Sequence, residues 1–163
     1  MRARERHDPG RLAREPRGIE VPGPVVLGTL SSRVEPDAER LAIESAVETG
    51  VPLLVVNVVP MPACPRALAL AGPGALSFPL EEDYDEVRAT AERAASWGIH
   101  VEHLRVTSPR PARALVQLAN ERGAGLLVLG PKRGRVSRWR LRRAARQVRR
   151  NAACLVWIAG SWL

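Results

Sequence analysis

The sequence predicts an α/β domain: one parallel sheet covered by helices on both faces. Three observations predict it. Short apolar runs alternate with longer stretches of helical periodicity, in the order β-α-β-α-β-α-β-α-β over residues 25–159. Most of the apolar runs are nearly continuous and lack the in-out alternation of a one-sided sheet, so both faces of those strands need cover. Glycines stand where helices must stop, at Gly50, Gly98 and Gly123.

Each element has a local cause. Val25-Val26-Leu27-Gly28-Thr29 reads as a short buried strand. The first helix starts near Pro36, whose fixed φ suits the first turn, with Asp37 and Glu39 favourable beside the positive end of the dipole. Its inward stripe is Ala38, Leu41, Ala42, Ser45, Ala46 and Thr49. Leu53 to Val59 is a second apolar strand, ended by Pro60. Residues 60–79 hold five Pro and two Gly and are expected to be irregular. A second helix over about Leu80–Trp97 opens on five acids between Glu81 and Glu86 and turns Leu80, Tyr84, Val87, Ala91 and Ala94 inward. That acid cluster reads as a helix N-terminus rather than a metal site.

Ile99 to Val106 alternates, as a half-exposed strand does. Ser108-Pro109 opens a third helix with Ala112, Leu115, Leu118 and Ala119 inward. Leu126-Leu-Val-Leu129 is a buried strand, a helix from about Ser137 to Arg150 follows it, and Ala153 to Ala159 is the last strand. Crossovers in such a sheet are right-handed.

Residues 1–23, with six Arg, three Pro and three Gly, hold too little apolar surface to order themselves and are expected to be a disordered basic tail. The α/β domain then spans 24–163. The formal charge of +8 is local: Lys132 to Leu163 holds ten Lys/Arg and no acid, whereas the rest carries 15 against 17 acids. No apolar run approaches the roughly 20 residues that span a bilayer, and the Arg-rich start lacks the apolar segment of a secretory signal. Cys64 and Cys154 make no CxxC and no metal spacing, which fits a reducing cytoplasm.

The chemistry concentrates after Leu129. Gly130-Pro-Lys132-Arg133-Gly134-Arg-Val-Ser137 joins a buried strand to a helix start. Glycines let a backbone approach a phosphate, and a helix N-terminus offers free N–H groups. Lys132 and Arg133 would add charge, Gly134 flexibility, and Ser137 a cap that also lines the site. The competing reading is a plain strand-to-helix turn with a cap. If a nucleotide binds, Thr29 and Val58 are expected near its base and ribose, at the carboxyl ends of strands beside the switch point.

The fourth helix is two-faced. Ser137, Leu141, Ala144, Ala145, Val148 and Ala152 form its inward stripe, with Arg138, Arg142, Arg146 and Arg149 opposite and Trp139 off the stripe. Such a face suits nucleic-acid phosphates or an acidic protein surface, although a solvated basic face is the commoner meaning of such charge. His100 and His103, three apart on a strand, point to opposite faces and share no metal. There is no G-x-S-x-G elbow, and Lys132 is not followed by the hydroxyl of a P-loop. Trp157 on the last strand suits dimerisation if that strand is an edge.

Over residues 25–159 the chain resembles the universal stress protein family. Three places carry the resemblance: Val25–Gly50 with Ser31 and Ser32 after the strand; Pro111 through Gly130; and Gly134-Arg-Val-Ser137-Arg138 followed by Arg150-Asn-Ala-Ala-Cys154-Leu-Val-Trp157. The resemblance implies a five-stranded parallel sheet in the order 3-2-1-4-5, and a dimer often made through the last strand. ATP-binding members carry an Asp at the end of the first strand, and Gly, two residues, Gly, nine residues, then Gly-Ser or Gly-Thr. Here the strand ends Gly28-Thr29-Leu30, Arg133 stands at the second Gly, and Leu141–Ala145 offers no Gly or hydroxyl. Gly130 keeps its place, and Gly134 and Ser137 match with one loop residue deleted. The expectation is a cytoplasmic regulatory or binding module, not an enzyme, homodimeric, with weak or lost ATP binding. The alternative is an accessory binder of nucleic acid or an acidic partner through the fourth helix.

Overall fold

The computed structural model describes residues 23–30, 33–61, 81–130 and 137–159, with side chains from residue 85 in the second helix. Nine elements follow one another: β1 (Val25–Leu30), α1 (Pro36–Thr49), β2 (Leu53–Pro60), α2 (Glu81–Ala95), β3 (Val101–Ser108), α3 (Pro111–Glu121), β4 (Leu126–Leu129), α4 (Arg138–Asn151) and β5 (Leu155–Ile158). All neighbouring strands pair in parallel, and the sheet order is β3-β2-β1-β4-β5. The order implied by the family resemblance is the observed one.

The apolar strands are buried for the reason their composition suggests. Every residue of β1 is buried, as is all of β2 except Pro60. Successive side chains alternate between two cores. Val25, Leu27, Leu53 and Val55 pack with Ala38, Ala42 and Val87 beneath α1 and α2. Val26, Leu54, Val56 and Leu127 pack with Leu115, Leu141 and Val148 beneath α3 and α4.

Helix ends obey the expected chemistry. Pro36 occupies the first turn of α1, and Gly50 closes it at φ 65°. A residue with a Cβ is strained there, and the turn lets Val51 N–H donate to the Ala46 carbonyl at 3.1 Å. Ser137 caps α4, its hydroxyl accepting from Arg140 N–H at 3.4 Å.

Some boundaries differ from those read in the sequence. β3 spans Val101–Ser108 rather than 99–106, because the Trp97-Gly98 turn delays it and pairing with β2 continues to Pro60–Ser108. His100 therefore precedes the strand, and only its carbonyl joins the sheet, accepting from Leu53 N–H at 2.9 Å. In α3, Val116 is buried and Leu118 only half-buried. In α4 the stripe narrows to Leu141, Ala145 and Val148, and Ser137 is exposed. The irregular excursion expected after Pro60 lies, from residue 62, outside the described residues, as does all but Gly23 of the expected tail.

Candidate functional site

The switch point of this sheet lies between β1 and β4. The helix that follows β1 packs on one face and the helix that follows β4 on the other, which opens a crevice beyond the strands' carboxyl ends.

Gly130, the first residue past β4, is the hinge of that region. Its N–H donates to the Gly28 carbonyl at 3.1 Å, and its own carbonyl accepts from Glu35 N–H at 2.8 Å. The end of β4 is thereby tied to the end of β1 and to the cap of α1. A Cβ on Gly130 would lie 2.1 Å from the Ala38 Cβ. The glycine lets α1 approach the sheet, and both polar backbone groups are engaged within the protein. Gly28 has a similar packing duty, since a Cβ there would meet Leu115 Cδ2 at 2.5 Å.

Thr29 is fully buried, and its hydroxyl donates to Asn57 Oδ1 at 3.1 Å. The two residues are register partners on β1 and β2. Asn57 is the functional-region residue that the sequence reading missed. One polar residue inside Leu-Leu-Val-Val-Asn-Val-Val is itself a signal, because a buried amide requires a partner. Val58 is also fully buried, on the opposite face, paired with Leu30 in the core under α3. Among the described residues, β1 and β2 therefore approach their carboxyl ends with buried aliphatic side chains, Leu30 and Val58, rather than a carboxylate of the strands themselves.

The α4 end of the crevice is polar. Ser137, Arg138, Trp139 and Arg140 are all exposed, and the first turn of α4 carries no acid. Two guanidinium groups thus stand at the positive end of a helix dipole, where an anion is the favoured neighbour. Lys132, Arg133 and Gly134 lie outside the described residues. Of the expected site residues, Thr29, Gly130 and Ser137 lie towards the carboxyl ends of the strands, at the end of β1, just past β4 and at the cap of α4. Val58 lies near the carboxyl end of β2 but is enclosed by the core.

The rest of α4 presents arginines at 142, 143, 146, 149 and 150, all exposed. Trp139 is 66% exposed, with the Arg143 guanidinium 5.6 Å from its ring centroid. His103 is half-buried on β3, and burial first, then the Arg88 charge, lowers its pKa from the ordinary 6.5. Burial likewise raises the pKa of the Cys154 thiol. Among the described residues no three His, Cys, Asp or Glu side chains converge as a metal site. Nor is any described helix long and apolar enough to cross a membrane.

Solved structures share this architecture. UspA from Lactobacillus plantarum is 19% identical, covering 85% of this chain and 99% of its own, with a TM-score of 0.62. A universal stress protein from Archaeoglobus fulgidus in complex with dAMP is 25% identical, covering 85% and 98%, with a TM-score of 0.54. Another universal stress protein, in complex with cAMP, is 24% identical, covering 85% and 96%, with a TM-score of 0.57. No curated protein sequence matches the chain at a significant level. The model of the universal stress protein family matches residues 23–160. With the sheet order, the glycine past β4 and the capped fourth helix in place, this chain belongs to the universal stress protein family.

Proposed function

We propose that this protein is a regulatory or binding module of the stress response, not an enzyme, and that it binds nucleotide weakly at the carboxyl ends of β1 and β4. The observation that carries the reading is the asymmetry of the crevice. Its α4 end offers a helix N-terminus with Arg138 and Arg140 and no acid, suited to phosphate. Its β1 end offers Leu30 and Val58, with the Thr29 hydroxyl already donated to Asn57. Neither Leu30 nor Val58 offers a carboxylate to hold a ribose. Relatives complexed with dAMP and cAMP support nucleotide as the ligand class.

Calorimetric titration of the purified chain with ATP and Mg²⁺, after an absorbance check for co-purified nucleotide, tests this. The expected dissociation constant lies above about 100 μM, roughly −5.5 kcal/mol. Replacing both Lys132 and Arg133 by Ala should abolish saturable binding; unchanged binding refutes the phosphate role of the loop. Low-micromolar affinity would show the missing carboxylate to be dispensable.

A second reading rests on Trp139 and the exposed arginines of α4, a surface for nucleic acid or an acidic protein. It requires retention on DNA or heparin that falls steeply with salt. Negligible retention at low salt removes it. In the first reading, the regulatory module acts as a cytoplasmic homodimer joined through β5.

A further inference from the structure

An apolar groove of about 370 Å³ lies between α1 and the turn after α2, far from the crevice described above. It is lined by Ile43, Val47 and Trp97, and rimmed by Arg40, Glu44 and Glu48. Trp97 is 67% exposed and Val47 39%. The turn holds Trp97 in place: its N–H donates to the Ala94 carbonyl at 3.1 Å, and Gly98 follows at φ 79°. Arg40 is engaged by Asp37 at 3.2 Å. No ion pair among the described residues engages Glu44 or Glu48.

The chemistry of the groove selects its occupant. Two carboxylates one helical turn apart repel nucleic acid, nucleotides and anionic lipid. A second copy meeting this patch symmetrically would set Glu44 and Glu48 against the same residues. What fits is an apolar side chain flanked by arginines: the aliphatic group fills the space over Ile43 and Val47, and a guanidinium stacks on Trp97 beside the carboxylates.

The chain carries such a segment within reach. α1 runs back along the sheet, so Val47 and Trp97 lie at the amino ends of the strands, where Gly23 leads into β1. Val25, Leu53 and Val101 are in register across β1, β2 and β3. Two strand spacings of about 4.8 Å, plus the short links from Gly23 to Val25 and from Trp97 to Val101, place the groove within roughly 30 Å of Gly23. Nine to twelve residues before Gly23 stands Arg11-Leu12-Ala13-Arg14. At about 3.3 Å per residue, an extended link spans roughly 30 to 40 Å. We infer that Arg11-Leu12-Ala13-Arg14 docks in the groove between α1 and Trp97 of its own chain, with Leu12 over Ile43 and Val47 and its arginines on Trp97, Glu44 and Glu48.

Trypsin reads this directly in the full chain, because docking shields the Arg11–Leu12 bond. The rate of cleavage at that bond, followed by mass spectrometry, is compared with the rate in a free peptide of residues 1–22. Two variants are included, Trp97→Ala and the pair Glu44→Gln with Glu48→Gln. All three positions line or rim the groove, and an unchanged thermal unfolding midpoint in each variant certifies the fold. The expected result is cleavage at least tenfold slower in the native chain than in the peptide, with both variants approaching the peptide rate. Equal rates in native chain and peptide overturn the proposal. So does protection that both variants retain. Protection that grows with protein concentration also overturns it, since the segment would then come from a second copy.

Discussion

Gly130 shows how one residue's missing side chain sets the site. Its backbone groups tie β4 to β1 and to the cap of α1, and its absent Cβ makes room for Ala38. Gly130→Ala should therefore destabilise the fold by about 1–3 kcal/mol, the usual range for overpacking. Adding Ala38→Gly should recover part of that loss, because the two positions share one space and couple non-additively. Urea unfolding of the singles and the double measures it; strictly additive losses would refute the contact. His103 gives a pH prediction of definite sign. Its pKa is lowered by burial, then by Arg88, so the folded state favours the neutral ring. That contribution is fully present above the unfolded value near 6.5 and is lost as pH falls through the lower folded value. The unfolding midpoint should drop as pH falls from neutrality through the ordinary value near 6.5 and below, with a shallower drop in His103→Gln. An identical slope in the variant would assign the acid sensitivity elsewhere.

At the scale of the element, α4 is built against its own dipole. Arg138 and Arg140 stand in its first turn without an acid, and the Ser137 cap is long at 3.4 Å. Replacing both arginines by Glu should raise stability by about 0.3–1 kcal/mol each, while lowering affinity for phosphate or nucleotide. Opposite signs in the two measurements, thermal midpoint and calorimetric titration, would mark residues kept for binding rather than folding. Loss of stability in the variant would instead show the arginines to be structural. The two-faced nature of this helix was legible in the sequence, because Leu141, Ala145 and Val148 recur at helical spacing among arginines. The start of β3 was less legible. Ile99-His100 continues the alternation of the strand, and only the turn through Trp97 and Gly98 removes them from it. Asn57 was visible but unread: periodicity shows that it is buried, whereas its partner Thr29 emerges only from the register of β1 and β2.

The whole molecule is a sheet with two unequal edges, β3 and β5, and the dimer proposed above turns on the second. Alternating apolar runs were enough to predict a covered parallel sheet, because β1 and β2 are apolar on both faces. Strand order was not in that periodicity. It depends on which helix covers which face, and it came from the likeness of Pro111–Gly130 and neighbouring segments to a family. That order makes β5 an edge of four residues, with Leu155 75% exposed and Trp157 half-buried against the α1 face. An unpaired apolar edge is a liability that proteins cover or pair. Pairing β5 with its copy about a two-fold axis would engage the backbone groups that no described strand pairs with and bury Leu155 in one step. Sedimentation of the full chain should then give a dimer, and Leu155→Lys should shift it to monomer by setting two ammonium groups against each other. The fold should survive, because Leu155 leaves little in the core and the neighbouring Ile158 stays buried. A native chain that sediments as a monomer at every concentration would end the dimer reading. A Leu155→Lys chain that stays dimeric would move the contact away from β5, and the arginines of α4 would become the next surface to alter.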